Sequence, residues 1–211
     1  MRKILVCLVV LTLISSVFLG LSSLSFAQKK YNEAPMLAEL VKSGKLPPVE
    51  QRLPVASDVY VVEPLEEIGQ YGGTWRMIDL GPGMGFWNMV NAVEPLVRWN
   101  KTKHGYKGFK PGLAKSWRYS NDGISCTIYL RKGVKWSDGQ PFTADDIMFW
   151  WNDLILNKDY PENPPRWAWR AGKLMEVEKV EDYTGRFKFA APYYTFDTAS
   201  AQGFWEKVGY L

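Results

Sequence analysis

The stretch LRKGVKWSDGQPFTADDIMFWW (residues 130–151) decides how the chain is read. It gathers three aspartates, a serine and three tryptophans in one short span, so it is either a reactive cluster or a turn followed by a helix start. Local rules account for it in the second way. Asp138-Gly139 is a turn dipeptide. Thr143 stands at an N-cap with Asp146 at the third helical position, completing a capping box, and Phe142 before the cap is set to pack on Ile147 as a hydrophobic staple. Asp145 and Asp146 fall in the first turn, where the helix dipole favours negative charge. A helix is therefore expected over 144–156, with Trp150 and Trp151 in the core.

Moving outward, residues 112–139 read as a hairpin whose turn is Ser120-Asn121-Asp122-Gly123, residue types that accept positive φ. On the return strand Cys126, Ile128 and Leu130 alternate with Ser125, Thr127 and Tyr129, the period of a half-buried strand. Cys126 is thereby a small core residue and not a reactive thiol. Residues 175–192 form a second expected hairpin turning at 182–185, with apolar alternation over 177–180 and at Phe187 and Phe189. Between the helix and this hairpin, ENPPRWAWR (162–170) reads as a loop or interrupted segment.

Upstream, Leu96 to Trp99 is an apolar segment, and NKTKHGYKG after it is a polar, basic loop that exposes His104. A strand over 74–80, the loop GPGMG (81–85) and a helix over 86–93 are expected before it. Residues 28–45 hold one short helix, with Asn32 as its cap, Pro35 in its first turn and Gly44 as its stop. Its apolar stripe is Met36, Leu37, Leu40 and Val41. KLPPVEQRLP (45–54) reads as an extended connector and DVYVVEP (58–64) as a short strand. Residues 1–27 have the parts of a secretory signal: Arg2 and Lys3, an apolar run, then Ser25 and Ala27 before a cleavage point. An uncleaved anchor is the alternative.

Composition narrows the function classes. Aromatics are 15% of the 211 residues, enough to build a core. The net charge is +4, lowered to +2 when Arg2 and Lys3 leave with the leader, too small to imply nucleic acid or an anionic membrane as partner. Cys126 is the single cysteine beyond the leader and His104 the single histidine, which excludes an internal disulfide and any multi-Cys or multi-His zinc site. Gly81, Gly83 and Gly85 do not match the spacing of a dinucleotide fingerprint, and no acidic strand follows at the required distance. A glycosidase carboxylate pair has no matching sequence context.

VEPLVRWN (93–100), KPGLAKSWRYSNDG (110–123) and IYLRKGVKWSDGQPFTADDI (128–147) stand in order and in register with one family. Together with VEKVEDYTGRFKFAAPY (177–193), they resemble the family 5 extracellular solute-binding proteins of ATP-binding-cassette importers, the dipeptide- and oligopeptide-binding proteins and their relatives. The lead-in APMLAELVKSGKLPPVEQRLP (34–54) is similar to a long-N-terminus subgroup. The resemblance implies an α/β, two-lobe, periplasmic-binding-protein-like (type II) fold closing on a ligand. Only part of the first lobe is expected here, since family members run to several hundred residues. The implied layout is a leader at 1–27, a lead-in at 28–71 and a partial lobe at 72–211. Marginal folding and weak ligand binding by the isolated chain follow as expectations.

The resemblance also implies a monomer with no enzyme activity, cofactor or metal. Its partners would be a peptide ligand and the permease and ATPase subunits, with no nucleic acid. An oligosaccharide is the alternative ligand. The expected ligand contacts are Gly85, Phe86 and Trp87, in the loop after the first core strand, and Trp167 and Trp169, projecting from a loop to one side. Packing of Phe86, Trp87, Trp167 and Trp169 into the core is the competing reading. A secreted carbohydrate-active hydrolase and a cell-surface sensory protein are the other classes in play.

Overall fold

The computed structural model describes residues 31–74, 76, 94–159 and 164–201. The chain divides into two units, 1–51 and 52–211. In the first unit the sequence PMLAELVK forms helix α1, Pro35–Lys42. Its N-cap is Ala34, which offers no side-chain acceptor, and not Asn32 as expected. Pro35 supplies the preset φ of the first helical position. Gly44 ends the helix at φ 72°, where its N–H reaches Val41 and the Lys45 N–H reaches Leu40, a Schellman closure. The connector expected after it is interrupted by a one-turn helix α2, Val49–Arg52.

The second unit is built on two hairpins that share one seam. Strands β1 (Val97–Thr102) and β2 (Gly105–Pro111) form a separate antiparallel ribbon. Strands β3 (Ala114–Tyr119) and β4 (Ser125–Leu130) form the hairpin expected at 112–139. Gly123 at its turn adopts φ 69°, and a side chain there would strike the Tyr194 ring at 2.5 Å, so both conformation and packing require glycine. Further on come β5 (Trp169–Arg170), β6 (Lys173–Leu174), β7 (Glu176–Glu181) and β8 (Thr184–Lys188). The main sheet runs β3-β4-β8-β7, antiparallel throughout, with β4–β8 joining the two hairpins.

Period two decides which side of the sheet is covered. Cys126, Ile128 and Leu130 of β4 and Phe187 of β8 point into the core, as the alternation requires. The second hairpin turns at Asp182-Tyr183, and Gly185 lies within β8, one correction to the expected turn at 182–185. Val180, three positions after the buried Val177 and unpaired at a register shift between Lys179 and Glu181, falls on the outward phase and is 42% exposed.

Helix α3, Ala144–Phe149, crosses the covered face. Its capping box is present: the Thr143 N–H donates to Asp146 Oδ2 at 2.7 Å, and Thr143 Oγ1 accepts from the Asp145 N–H at 3.2 Å. Phe142 and Ile147 are both buried in the core, consistent with the staple. The helix continues as a π-helical segment, Trp150–Ile155. There the Leu156 N–H bonds five residues back to Trp151, and the widened turn lets the consecutive Trp150 and Trp151 both be buried. Helix α4, Phe196–Ala201, closes the core, with Phe196 ringed by Phe187, Phe189, Tyr193 and Trp167. Replacing Thr143 with Ala should lower the unfolding free energy by about 1 kcal/mol, read in a denaturant titration. An unmoved midpoint would remove the cap from this account.

Candidate functional site

The uncovered face of the main sheet is polar because the strands alternate. Arg118, Thr127, Arg186 and Glu178 are cross-strand neighbours on it, one from each strand. Arg118, Thr127 and Arg186, with the β3–β4 turn and β6, border an open groove of about 870 Å3, within the size range of ligand pockets of roughly 300–1,000 Å3. Glu178 bridges Arg186 at 2.8 Å and Lys188 at 2.5 Å, and Arg186 Nε donates to Thr127 Oγ1 at 3.3 Å. The hydrogen bond from Lys188, with Arg186 beside it, holds the Glu178 carboxyl below the usual carboxylate range. Arg118, Lys173 and Glu176 line the same groove, and none of the three has an ion-pair partner among the described residues.

The β5–β6 turn at the groove margin carries backbone strain. Ala171 sits at φ 48° and Gly172 at 73°, the two positive values of a tight hairpin turn. Ala171 is the one non-glycine at positive φ among the described residues. Arg170 beside it stacks over the Tyr193 ring, 3.3 Å from its centroid.

The expected ligand residues fare differently. Gly85, Phe86 and Trp87, with the strand at 77–80 and the helix at 86–93, lie outside the described residues. Trp167 and Trp169 do not project together. Trp167, in a 3-10 turn at Arg166–Ala168, is 6% exposed and stacks parallel to Trp150 at 6.3 Å. Trp169 is 43% exposed on β5. The reason is local: the 3-10 turn directs Trp167 to the core, and the chain is extended by Trp169.

Cys126 is buried, and burial pushes its thiol up to about 12, far from a thiolate at neutral pH. His104 is exposed in the β1–β2 turn. Among the described residues no group of His, Cys, Asp and Glu is placed to hold a metal ion. The groove residues were not singled out in the sequence. The signal available was the polar phase of β4, Ser125, Thr127 and Tyr129, which marks the outward face once the apolar phase is assigned inward.

A profile of the bacterial extracellular solute-binding proteins, family 5, matches residues 108–204, the segment that holds the main sheet and α3. Residues 108–204 thus carry the family 5 solute-binding pattern. Among similar proteins, the periplasmic alpha-galactoside-binding protein of Rhizobium meliloti (strain 1021) is 33% identical over 180 residues, covering 77% of this chain and 26% of that protein. A solved oligopeptide-binding protein OppA superposes with a TM-score of 0.69 at 46% identity, over 83% of this chain and 26% of its own. The periplasmic binding protein MelB from Agrobacterium fabrum C58, solved in complex with stachyose, gives a TM-score of 0.62 at 28% identity, over 82% and 29%. The described elements are thus part of the two-lobe periplasmic-binding-protein fold. The chain spans about a quarter of the length of these relatives.

Proposed function

We propose that this chain belongs to the ligand-capturing component of an ATP-binding-cassette importer, which binds peptides outside the cytoplasmic membrane and delivers them to a permease. The observation that carries this reading is the 46% identity to an oligopeptide-binding protein across 83% of the chain. The groove agrees with it: Arg118, Lys173 and Glu176 offer charges of both signs, which suit a zwitterionic ligand. In this reading the chain is monomeric and non-enzymatic, uses no cofactor or metal, and leaves ATP hydrolysis to separate subunits. Residues 1–27 direct export and are removed, 28–71 form the lead-in, and 72–211 form part of the first lobe. Gly85, Phe86 and Trp87 contribute the ligand loop, and Trp169 is an aromatic contact. Trp167 acts from behind by packing.

A second reading, an oligosaccharide ligand, is favoured by two relatives that each cover more than three quarters of the chain, one named for alpha-galactosides and one holding stachyose. A calorimetric and tryptophan-fluorescence screen of the full-length gene product should separate them, using peptides against cello-, manno- and alpha-galacto-oligosaccharides. Peptides are expected to bind at micromolar concentrations or below. If only sugars bind, the peptide reading falls; if neither class binds, the capture function falls with it.

A further inference from the structure

The β1–β2 ribbon contributes no residue to the groove described above. Its sequence, VRWNKTKHGYKGFKP (97–111), was expected to be a loop beyond Trp99, yet it forms a ladder from Val97↔Pro111 to Thr102↔Gly105. Thr102 closes its tip, accepting the His104 N–H at 3.2 Å and donating to the Gly105 carbonyl at 2.8 Å. At its root Leu96 and Val97 are buried, and the Leu96 carbonyl accepts from the N–H groups of Gly112 and Ala114. Gly112 sits so close to that root that a side chain would meet the Pro95 oxygen at 2.1 Å. The ribbon is therefore a ridge fixed to the body and not a flap.

Two kinds of residue share this ridge. Arg98, Lys101, Lys103, Lys107 and Lys110 give it five cations and no acid. The whole chain has a net charge of only +4, so the remaining residues together are slightly negative. Arg98 is held by Glu94, whereas Lys101, Lys103 and Lys107 are exposed, and none of these three has an ion-pair partner among the described residues. Trp99 packs on Phe109 at 4.6 Å and meets Tyr106 edge-on at 6.0 Å. Trp99 nonetheless stays 37% exposed and Tyr106 69%. Lys101 and Tyr106 are direct cross-strand partners, so a cation and an amphipathic ring stand side by side.

We propose that this ridge docks on the surface of an anionic phospholipid bilayer. Lysines gain about 1 kcal/mol each near an anionic leaflet. Trp and Tyr settle at the headgroup level, with the ring in the acyl boundary and the polar edge in water. Exposed cations spread along both strands and the turn, at Lys101, Lys103 and Lys107, match a broad charged plane. Such contact would hold the protein beside the membrane in which a permease lies, whichever solute it carries.

The test is cosedimentation of the exported form, beginning at Gln28, so that the apolar leader cannot itself drive partitioning. Vesicles of phosphatidylcholine alone are compared with vesicles containing phosphatidylglycerol, at low and high salt. The chain should sediment only with the anionic vesicles and be largely released by salt. Lys101→Glu with Lys107→Glu should cut partitioning at least about tenfold without moving the melting temperature. Trp99→Ala with Tyr106→Ala should weaken it severalfold, mainly in the salt-resistant fraction. Equal binding to neutral vesicles, or an unaffected charge-reversed variant, would overturn the proposal. Binding to heparin or DNA without binding to vesicles would reassign the ridge to soluble polyanions.

Discussion

Replacing Phe187 with Ala should lower the unfolding free energy by about 3–5 kcal/mol, the cost of removing a large aromatic from a closed core. Phe187 is fully buried. It sits on β8, directly opposite Cys126 of β4 on one side and Val177 of β7 on the other. Its ring lies 4.8 Å from that of Phe196, the residue around which Phe189, Tyr193 and Trp167 gather. Truncation therefore opens a cavity at the point where both hairpins and α4 meet. Phe196 is itself held by Phe189, Tyr193 and Trp167, so its ring cannot move into the space without loosening those contacts. Single domains are stable by roughly 5–15 kcal/mol, which makes the loss a large fraction of the total. Denaturant titration of the variant against the parent measures it, with Phe187→Leu expected to fall between them. A loss below about 1 kcal/mol would mean that the sheet is held elsewhere.

The contrast between Phe187 and the β1–β2 ribbon shows what the sequence could reveal. The β4 alternation, the Asn-Asp-Gly turn and the Thr143 capping box are short-range patterns, and each was legible from a few consecutive residues. The seam β4–β8 was not, because nothing in residues 125–130 says that their partner is 184–188. The ribbon was missed for another reason. Its residues are mostly polar and carry little alternation: only Val97 is buried, Phe109 packs on the core's edge, and the tip is exposed. Trp167 and Trp169 differ by two positions and looked equivalent. The 3-10 turn that separates their fates brings Trp167 against Trp150, a stacking partner that residues 162–170 alone do not reveal. Of the candidate ligand residues, only these two lie among the described residues.

DVYVVEP illustrates the reverse error, a strand pattern with no strand. β-propensity measures fit to a neighbouring strand, and residues 58–64 have no such neighbour among the described residues. What fixes this segment is Asp58, which is 5% exposed. Its carboxylate accepts from the Lys132 N–H at 2.7 Å, from Lys115 Nζ at 3.2 Å and from Ser57 Oγ at 3.2 Å. Its backbone carbonyl accepts from Arg131 Nη1 at 2.7 Å, while Arg131 Nε donates to the Gly112 carbonyl. The residues that follow β4 are thus tied both to the entering chain and to the root of the ribbon.

Asp58→Ala should accordingly cost about 2–3 kcal/mol, the range for hydrogen bonds to a buried charge with a backbone donor left behind. The cost should depend on acid. Burial opposes ionisation of Asp58, but the Lys132 N–H, the Lys115 ammonium and the Ser57 hydroxyl outweigh it and hold the carboxyl below its ordinary value. Near the free value, about 3.9, the unfolded chain then binds more protons than the native one, so stability rises with pH. The contribution is complete above that value and is lost as pH falls through the lower folded-state value. Parent and Asp58→Ala melting temperatures should therefore stand well apart at neutral pH and converge below about pH 4. Asp58→Asn should behave as a partial loss at neutral pH, since it keeps one acceptor oxygen for the Lys132 N–H but gives up the attraction to Lys115. A gap between parent and Ala variant that stays constant into strong acid would show that packing, and not the carboxylate charge, holds residues 52–60 against the sheet.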